Sequence, residues 1–255
     1  MRLVSWNVNG IRAAQKKGFL NFMEGAGADF VGVQETKAWP DQLDEAVRDI
    51  KGFQSYWSKC ARKGYSGTAA FSKAPVAEFS DGIGIEAYDS EGRFCITKIN
   101  DVTIYNVYFP NGASGKVRHN FKMSFLTDFL AHLKRKIDSG EKLIVMGDYN
   151  VAPQDVDVYD PIKLAKTSGF LPEEKDWFQS FLKAGFVDTF RHFHPNRKNV
   201  YSWWNQIERA RVGNRGWRID MICVTQNLIP QLKAADIWDK VEGSDHCPVL
   251  AEIDI

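Results

Sequence analysis

The stretch Lys142-Leu143-Ile144-Val145-Met146-Gly147-Asp148-Tyr149-Asn150 constrains this chain more than any other. A short run of β-compatible apolar residues stops at a glycine and delivers a carboxylate and an amide. A run without alternation reads as a strand covered on both faces. Residues i and i+2 of an extended backbone point the same way, so Asp148 and Asn150 are expected to converge on one ligand at the strand's end. Gly, Asp and Asn are also the usual turn residues, and taken alone the tetrapeptide describes only a turn. The same arrangement recurs elsewhere in the chain, which gives it weight.

Leu3-Val4-Ser5-Trp6-Asn7-Val8-Asn9-Gly10 is an opening strand that ends in Asn7 and Asn9, and Asp29-Phe30-Val31-Gly32-Val33-Gln34-Glu35 ends in a carboxylate. Gly243-Ser244-Asp245-His246-Cys247-Pro248 leads into the final strand, while Gly216-Trp217-Arg218-Ile219-Asp220 sets Asp220 among apolar residues. A carboxylate buried there costs several kcal/mol unless it is partnered. His246 is the expected partner, because a carboxylate fixes an imidazole's tautomer and stabilises its protonated form. Hard oxygen donors with one histidine and no cysteine cluster suit Mg²⁺, with Mn²⁺ as a substitute. Cys60, Cys95, Cys223 and Cys247 are widely spaced, and His192 and His194 read as solvated residues of a surface turn, so zinc is not expected.

Helical spacing predicts helices over 18–24, 40–50, 117–137, 172–184 and 189–194. Strand patterns cover 54–58, 68–72, 93–99, 102–108, 218–224 and 249–253. This mixture indicates an α/β layered protein, and with no linker one domain over 1–255 is expected. No run of about 18 apolar residues could cross a bilayer. The N-terminus enters a strand without the segments of a signal peptide, which favours an intracellular protein. Net charge is +1, but residues 191–218 hold seven Arg or Lys against the single acid Glu208. Aromatics interleave with these cations, from Tyr201-Ser202-Trp203-Trp204 to Trp217, a composition that suits gripping phosphates and walling a pocket.

Six motifs occur in order: Ser5-Trp6-Asn7-Val8-Asn9-Gly10, Gln34-Glu35-Thr36-Lys37, Tyr108-Phe109-Pro110-Asn111-Gly112, Gly147-Asp148-Tyr149-Asn150, Gly216-Trp217-Arg218-Ile219-Asp220 and Gly243-Ser244-Asp245-His246-Cys247-Pro248. Together they resemble the exonuclease III family of apurinic/apyrimidinic (AP) endonucleases over essentially the whole chain. The resemblance implies an α/β four-layer sandwich of two mixed β-sheets flanked by helices, the DNase I-like or endonuclease/exonuclease/phosphatase fold. It also implies a pseudo-two-fold relation between halves, which would make the endings at Asn7 and Asn150 equivalent. It further implies Glu35 as the principal Mg²⁺ ligand, with Asn7, Asp245, Asp148 and Asn150 as neighbouring metal-site residues. Asp148 would handle a proton, Asn150 would orient water or phosphate, Tyr108 would donate to a phosphate oxygen, and His246 held by Asp220 would contact the scissile phosphate. Lys37, Tyr65, Asn111, Ile207, Arg209 and Arg218 resemble DNA-contacting positions, and Trp203 and Trp217 resemble the walls of a pocket for a flipped-out abasic sugar.

The implied partner is duplex DNA containing abasic sites or blocked 3′ ends, cut by a monomer with no membrane association. Two other readings fit the sequence: a phosphohydrolase of the same fold acting on a non-DNA phosphoester, and a non-catalytic nucleic-acid-binding protein.

Overall fold

In the computed structural model, which describes Met1–Ile255 throughout, the apolar runs pair into two six-stranded mixed sheets. The first has the order Leu232–Ile237, Val249–Ile253, Arg2–Asn7, Phe30–Gln34, Thr68–Ser72, Gln54–Ser58. The second has the order Glu78–Ser80, Phe94–Ile99, Val102–Tyr108, Lys142–Asp148, Asp220–Thr225, Phe186–Asp188. Inner faces meet in one core that includes Leu3 and Phe30 from the first sheet and Ile104, Ile144, Met146 and Ile222 from the second. Outer faces are covered by helices. Val4, Trp6, Val31 and Phe71 pack with Phe19 and Met23 of helix Phe19–Gly25. Leu143 and Val145 pack with Phe125 and Phe129 of helix Lys116–Asp138 and Phe178 and Phe181 of helix Pro172–Lys183. Strands coated on both sides have no need of alternating polarity, which explains the continuous apolar runs.

The period of two then places the chemistry. Inner positions Leu3 and Ser5 are followed by Asn7, and inner positions Ile144 and Met146 by Asp148, so both polar groups emerge between the sheets at the same end. Asp220 is the register partner of Asp148 on the neighbouring strand. Two glycines make the close approaches possible. A Cβ on Gly32 would lie 2.6 Å from the Asn106 side-chain oxygen, and one on Gly147 would lie 1.9 Å from the Val107 carbonyl oxygen, immediately before Asp148.

Each sheet contains one parallel pair joined through helices, Arg2–Asn7 with Phe30–Gln34 and Val102–Tyr108 with Lys142–Asp148. Both pairs are flanked by antiparallel strands. The counterpart of Lys142–Asp148 is therefore Phe30–Gln34. This corrects the expected equivalence of Asn7 and Asn150: by register Asn7 corresponds to Tyr108, and Gln34, one residue before Glu35, corresponds to Asp148.

Other sequence expectations change in detail. Residues 40–50 form a 3₁₀ turn, Pro40–Gln42, and a one-turn helix, Glu45–Arg48, separated by an extended Leu43. Leu43, Val47 and Ile50 are still buried, so the spacing found a buried face without a continuous helix. The expected strand from 218 begins at Asp220, while Gly216–Trp217 pairs separately with Trp203–Trp204. Short strands Glu78–Ser80, Phe186–Asp188 and Leu232–Ile237 were not anticipated. No helix is long and apolar enough to cross a membrane.

Candidate active site

At the shared end of the sheets a cleft of about 320 Å³ opens, lined by Asn9, Glu35, Asn111, Ala113, Asp148, Asn150, Thr167, Ser168, Gly169, Trp203, Trp217, Ile219, Asp245 and His246. Eight of the expected site residues line it. Asn7 lies fully buried beneath, where its Nδ2 donates to Glu35 Oε1 and Asp148 Oδ2, both at 2.9 Å. Its Oδ1 accepts the Asn9 N–H at 2.9 Å, so Asn7 bridges the two carboxylates as a donor.

Asn150 converges with Asp148 as expected, but by a different local geometry. It has φ 52°, and its own N–H donates to Asp148 Oδ1 at 2.9 Å, so a turn and not an extended strand brings the two together. Its Nδ2 donates to Phe109 O and Asp148 Oδ2, and its Oδ1 accepts from Asn111 at 3.0 Å. Beneath the turn, fully buried Lys122 donates to the Asn150 carbonyl at 2.8 Å and pairs with fully buried Glu174. Glu174 also accepts the Gly169 N–H at 2.6 Å, which ties the 168–171 cleft wall to Asn150.

His246 stands between two acids. Its Nδ1 lies 2.8 Å from Asp220 Oδ2, and its Nε2 lies 4.0 Å from Asp148 Oδ2. Burial alone would lower its pKa, but Asp220 above all, then Asp148 and Asp245, raise it to about 10. Asp148 is pushed up to about 7, first by burial and then by Asp220. Burial would also raise Glu35, yet the Lys37 ammonium 2.7 Å away and the Asn7 amide hold it below the ordinary carboxylate value. Tyr108 faces Glu35, and burial together with Glu35 and Asp148 keeps its hydroxyl protonated far above neutral pH, so it stays a hydrogen-bond donor.

Ligand atoms of Glu35, Asp148 and His246 lie within 4.8 Å of one another, a spacing that can hold a metal ion. An imidazolium has no lone pair to offer, so at neutral pH the oxygens of Glu35 and Asp148 are the fitting donors, and such a set suits a hard cation. One carboxylate oxygen of Asp220 is buried without a protein partner. Asp245 lines the same cleft, its oxygens accepting from Asn9 at 2.9 Å and the Trp203 indole at 3.1 Å.

Trp203 and Trp217 form the apolar wall, with ring centroids 6.2 Å apart and nearly perpendicular. Lys37 leads into an adjoining hollow with Arg12 and Lys16, and Arg209 lines another with Lys17 and Arg211. Ile207 is 96% exposed on the same loop as Arg209. Arg12, Lys16 and Lys17 were not among the expected DNA contacts; Arg12 lies on the helix Ile11–Gln15, too short for a periodic pattern to register. Arg218 must be corrected: it is completely buried, bound to Asp157 at 2.6 Å and Asp188 at 2.8 Å, and cannot reach DNA. Its desolvated charge is satisfied inside the protein, where it anchors the loop behind Trp217. Tyr201 and Trp204 are both core.

A model described as the Endonuclease/Exonuclease/phosphatase family matches residues 4–246. The chain is 40% identical over 256 residues to an exodeoxyribonuclease of Bacillus subtilis, with 100% of each chain covered. A solved AP endonuclease from Archaeoglobus fulgidus has a TM-score of 0.89 at 28% identity, again with 100% of each chain covered. The 3′ phosphatase NExo from Neisseria, solved bound to a product DNA hairpin, has a TM-score of 0.91 at 27% identity and equal coverage. With the family match spanning residues 4–246 and Glu35, Asp148 and His246 brought together in one cleft, the protein belongs to the endonuclease/exonuclease/phosphatase family.

Proposed function

We propose that this protein is a monomeric, single-domain Mg²⁺-dependent DNA-repair hydrolase of the cell interior. It cuts the phosphodiester 5′ to an abasic site in duplex DNA and leaves a 3′-hydroxyl, with 3′→5′ exonuclease and 3′-end-cleaning activity at the same site. The observation that carries this reading is His246 held between Asp220, 2.8 Å from its Nδ1, and Asp148, 4.0 Å from its Nε2, beside Glu35 and under an indole wall.

Phosphodiester hydrolysis needs a water deprotonated in line with the departing oxygen and charge neutralised on the phosphate. Asp148, with a pKa near neutral, is matched to take the water's proton. His246 already holds its proton at neutral pH and cannot be that base; it supplies positive charge and an N–H to a phosphate oxygen. Tyr108 donates a second hydrogen bond, and Asn150, locked by Asp148, Phe109 and Asn111, orients the attacked group. Glu35 and Asp148 would hold the Mg²⁺, which when bound neutralises charge on the phosphate and on the departing 3′ oxygen.

Base protonation and acid loss act in opposite directions with pH. Asp148 works only when ionised, so the single-turnover rate should rise through about 7; His246 works only when protonated, so the rate should fall towards about 10. A cation bound beside Glu35 moves the lower limb down and leaves the order unchanged. A rate that already falls between pH 6 and pH 8 would contradict these roles.

Specificity comes from the wall. Trp203 and Trp217 leave room for a sugar without a base, and the hollows lined by Arg12, Lys16, Lys37 and Arg209 offer cations to the flanking phosphates. Those cations favour DNA over a small non-DNA phosphoester. Trp203→Ala should reduce the preference for abasic over intact duplex by about 10-fold, within the range that one apolar contact can supply. Competition between the two duplexes in one reaction measures it; an unchanged ratio would remove Trp203 from the wall. The reading as a whole is tested with a 5′-labelled duplex carrying one abasic analogue, with Mg²⁺ or EDTA. The expected product is a single nick 5′ of the analogue that a polymerase can extend, formed only with Mg²⁺. Binding without any cleavage would support the non-catalytic alternative.

A further inference from the structure

Arg93 is completely buried just ahead of strand Phe94–Ile99, a place where an apolar side chain would satisfy the packing. Its contacts lead to Tyr108. The guanidinium donates to the Tyr108 carbonyl at 2.8 Å and lies 5.0 Å from the centre of the Tyr108 ring, and the Arg93 carbonyl accepts the Tyr108 N–H at 2.9 Å. Glu91 neutralises Arg93 through a contact of 2.5 Å. The same carboxylate binds Arg118 at 2.9 Å, and Arg118 donates to the Tyr65 hydroxyl at 3.1 Å. A line of contacts thus runs from Tyr65 and Arg118, both partly exposed, through Glu91 and Arg93 to Tyr108 and so to Glu35.

A buried ion pair gives little net stability compared with apolar residues of similar volume, so stability is a weak reason for a charge at this position. Geometry offers a better one. An arginine fork clamps a carbonyl and a ring together, which a single ammonium cannot do. We propose that Arg93 is a positioning residue that holds the Tyr108 hydroxyl against the phosphate site, and that Glu91 and Arg118 connect this hold to the DNA-facing Tyr65. This rests on the reading of Tyr108 as a phosphate donor.

The test is a double-mutant cycle on the full-length protein with Mg²⁺. Arg93→Lys keeps the charge and loses the fork; Glu91→Gln keeps the shape and loses the charge at a partly exposed position. Single-turnover incision and equilibrium binding of an abasic duplex are measured for each, alone and combined with Tyr108→Phe. Arg93→Lys should slow incision by about 10-fold with binding within about 3-fold, and should cost less than about 2-fold once Tyr108 is Phe. Glu91→Gln should show the same dependence on Tyr108 with a smaller loss, and carries the cycle by itself if Arg93→Lys does not fold. Equal losses in the two backgrounds, or no loss in the first, would overturn the positioning role while leaving the hydrolase reading intact. Full activity of Tyr108→Phe in an incising protein would remove Tyr108 from the reaction and Arg93 with it, whereas a wild-type protein that fails to incise would refute the hydrolase reading itself.

Discussion

Asp148→Asn is expected to lower the single-turnover incision rate by about 10²- to 10⁴-fold while affinity for an abasic duplex stays within about 3-fold of the wild type. The substitution is nearly isosteric, and an amide oxygen at the Oδ1 position can still accept the Asn150 N–H, so the turn survives. What disappears is the group able to take a proton near neutral pH and the negative charge that faces His246 across 4.0 Å. Asn7 gives the fold a second reason to tolerate the change, since its amide still has Glu35 as an acceptor. A variant retaining more than about a tenth of the wild-type rate would exclude Asp148 as the base.

Asp220→Asn should be nearly as damaging, for a different reason. Asp220 never reaches the cleft lining; it acts on His246, which burial by itself would drive to the neutral form. Without that carboxylate the imidazole loses its principal source of charge, and its tautomer is no longer fixed. The rate at pH 7.5 should drop by about 10²-fold or more. The falling limb of the pH–rate profile should move from near 10 towards neutral, and His246→Asn should remove that limb altogether. The displaced limb separates a lost charge on His246 from simple disruption of the fold, which would lower the rate at every pH alike. A limb that stays in place would show that Asp220 does not set the charge of His246.

Strand ends were the legible part of the sequence. Asn7, Glu35 and Asp148 each terminate an apolar run, and polar groups that recur at the ends of several buried strands point to one shared cleft. The pairing of Asp220 with His246 was legible because a buried carboxylate needs a partner and the chain offers few. What could not be read were contacts between distant segments. Arg93, Lys122 and Arg218 look like surface cations in sequence, and only the fold shows them buried against Glu91, Glu174 and Asp157. Arg218 misled in particular because it sits within a basic, aromatic stretch whose composition describes the neighbourhood and not the direction of each side chain. Asn150 does line the cleft beside Asp148, but through a turn, since period-two reasoning does not extend into a residue at φ 52°. The edge strands Glu78–Ser80 and Phe186–Asp188 are three residues long, too short for a periodic pattern to register.

The claim on which the mechanism turns is that His246 enters the reaction already carrying its proton, which leaves Asp148 as the base. Two-dimensional ¹⁵N–¹H correlation of the ring nitrogens in ¹⁵N-histidine-labelled protein, assigned with His246→Asn, measures this directly. Both His246 nitrogens should remain protonated from pH 6 to about 9, with titration only towards about 10. A midpoint near about 6.5, the value of a free histidine, would contradict the mechanism and return the base role to the imidazole.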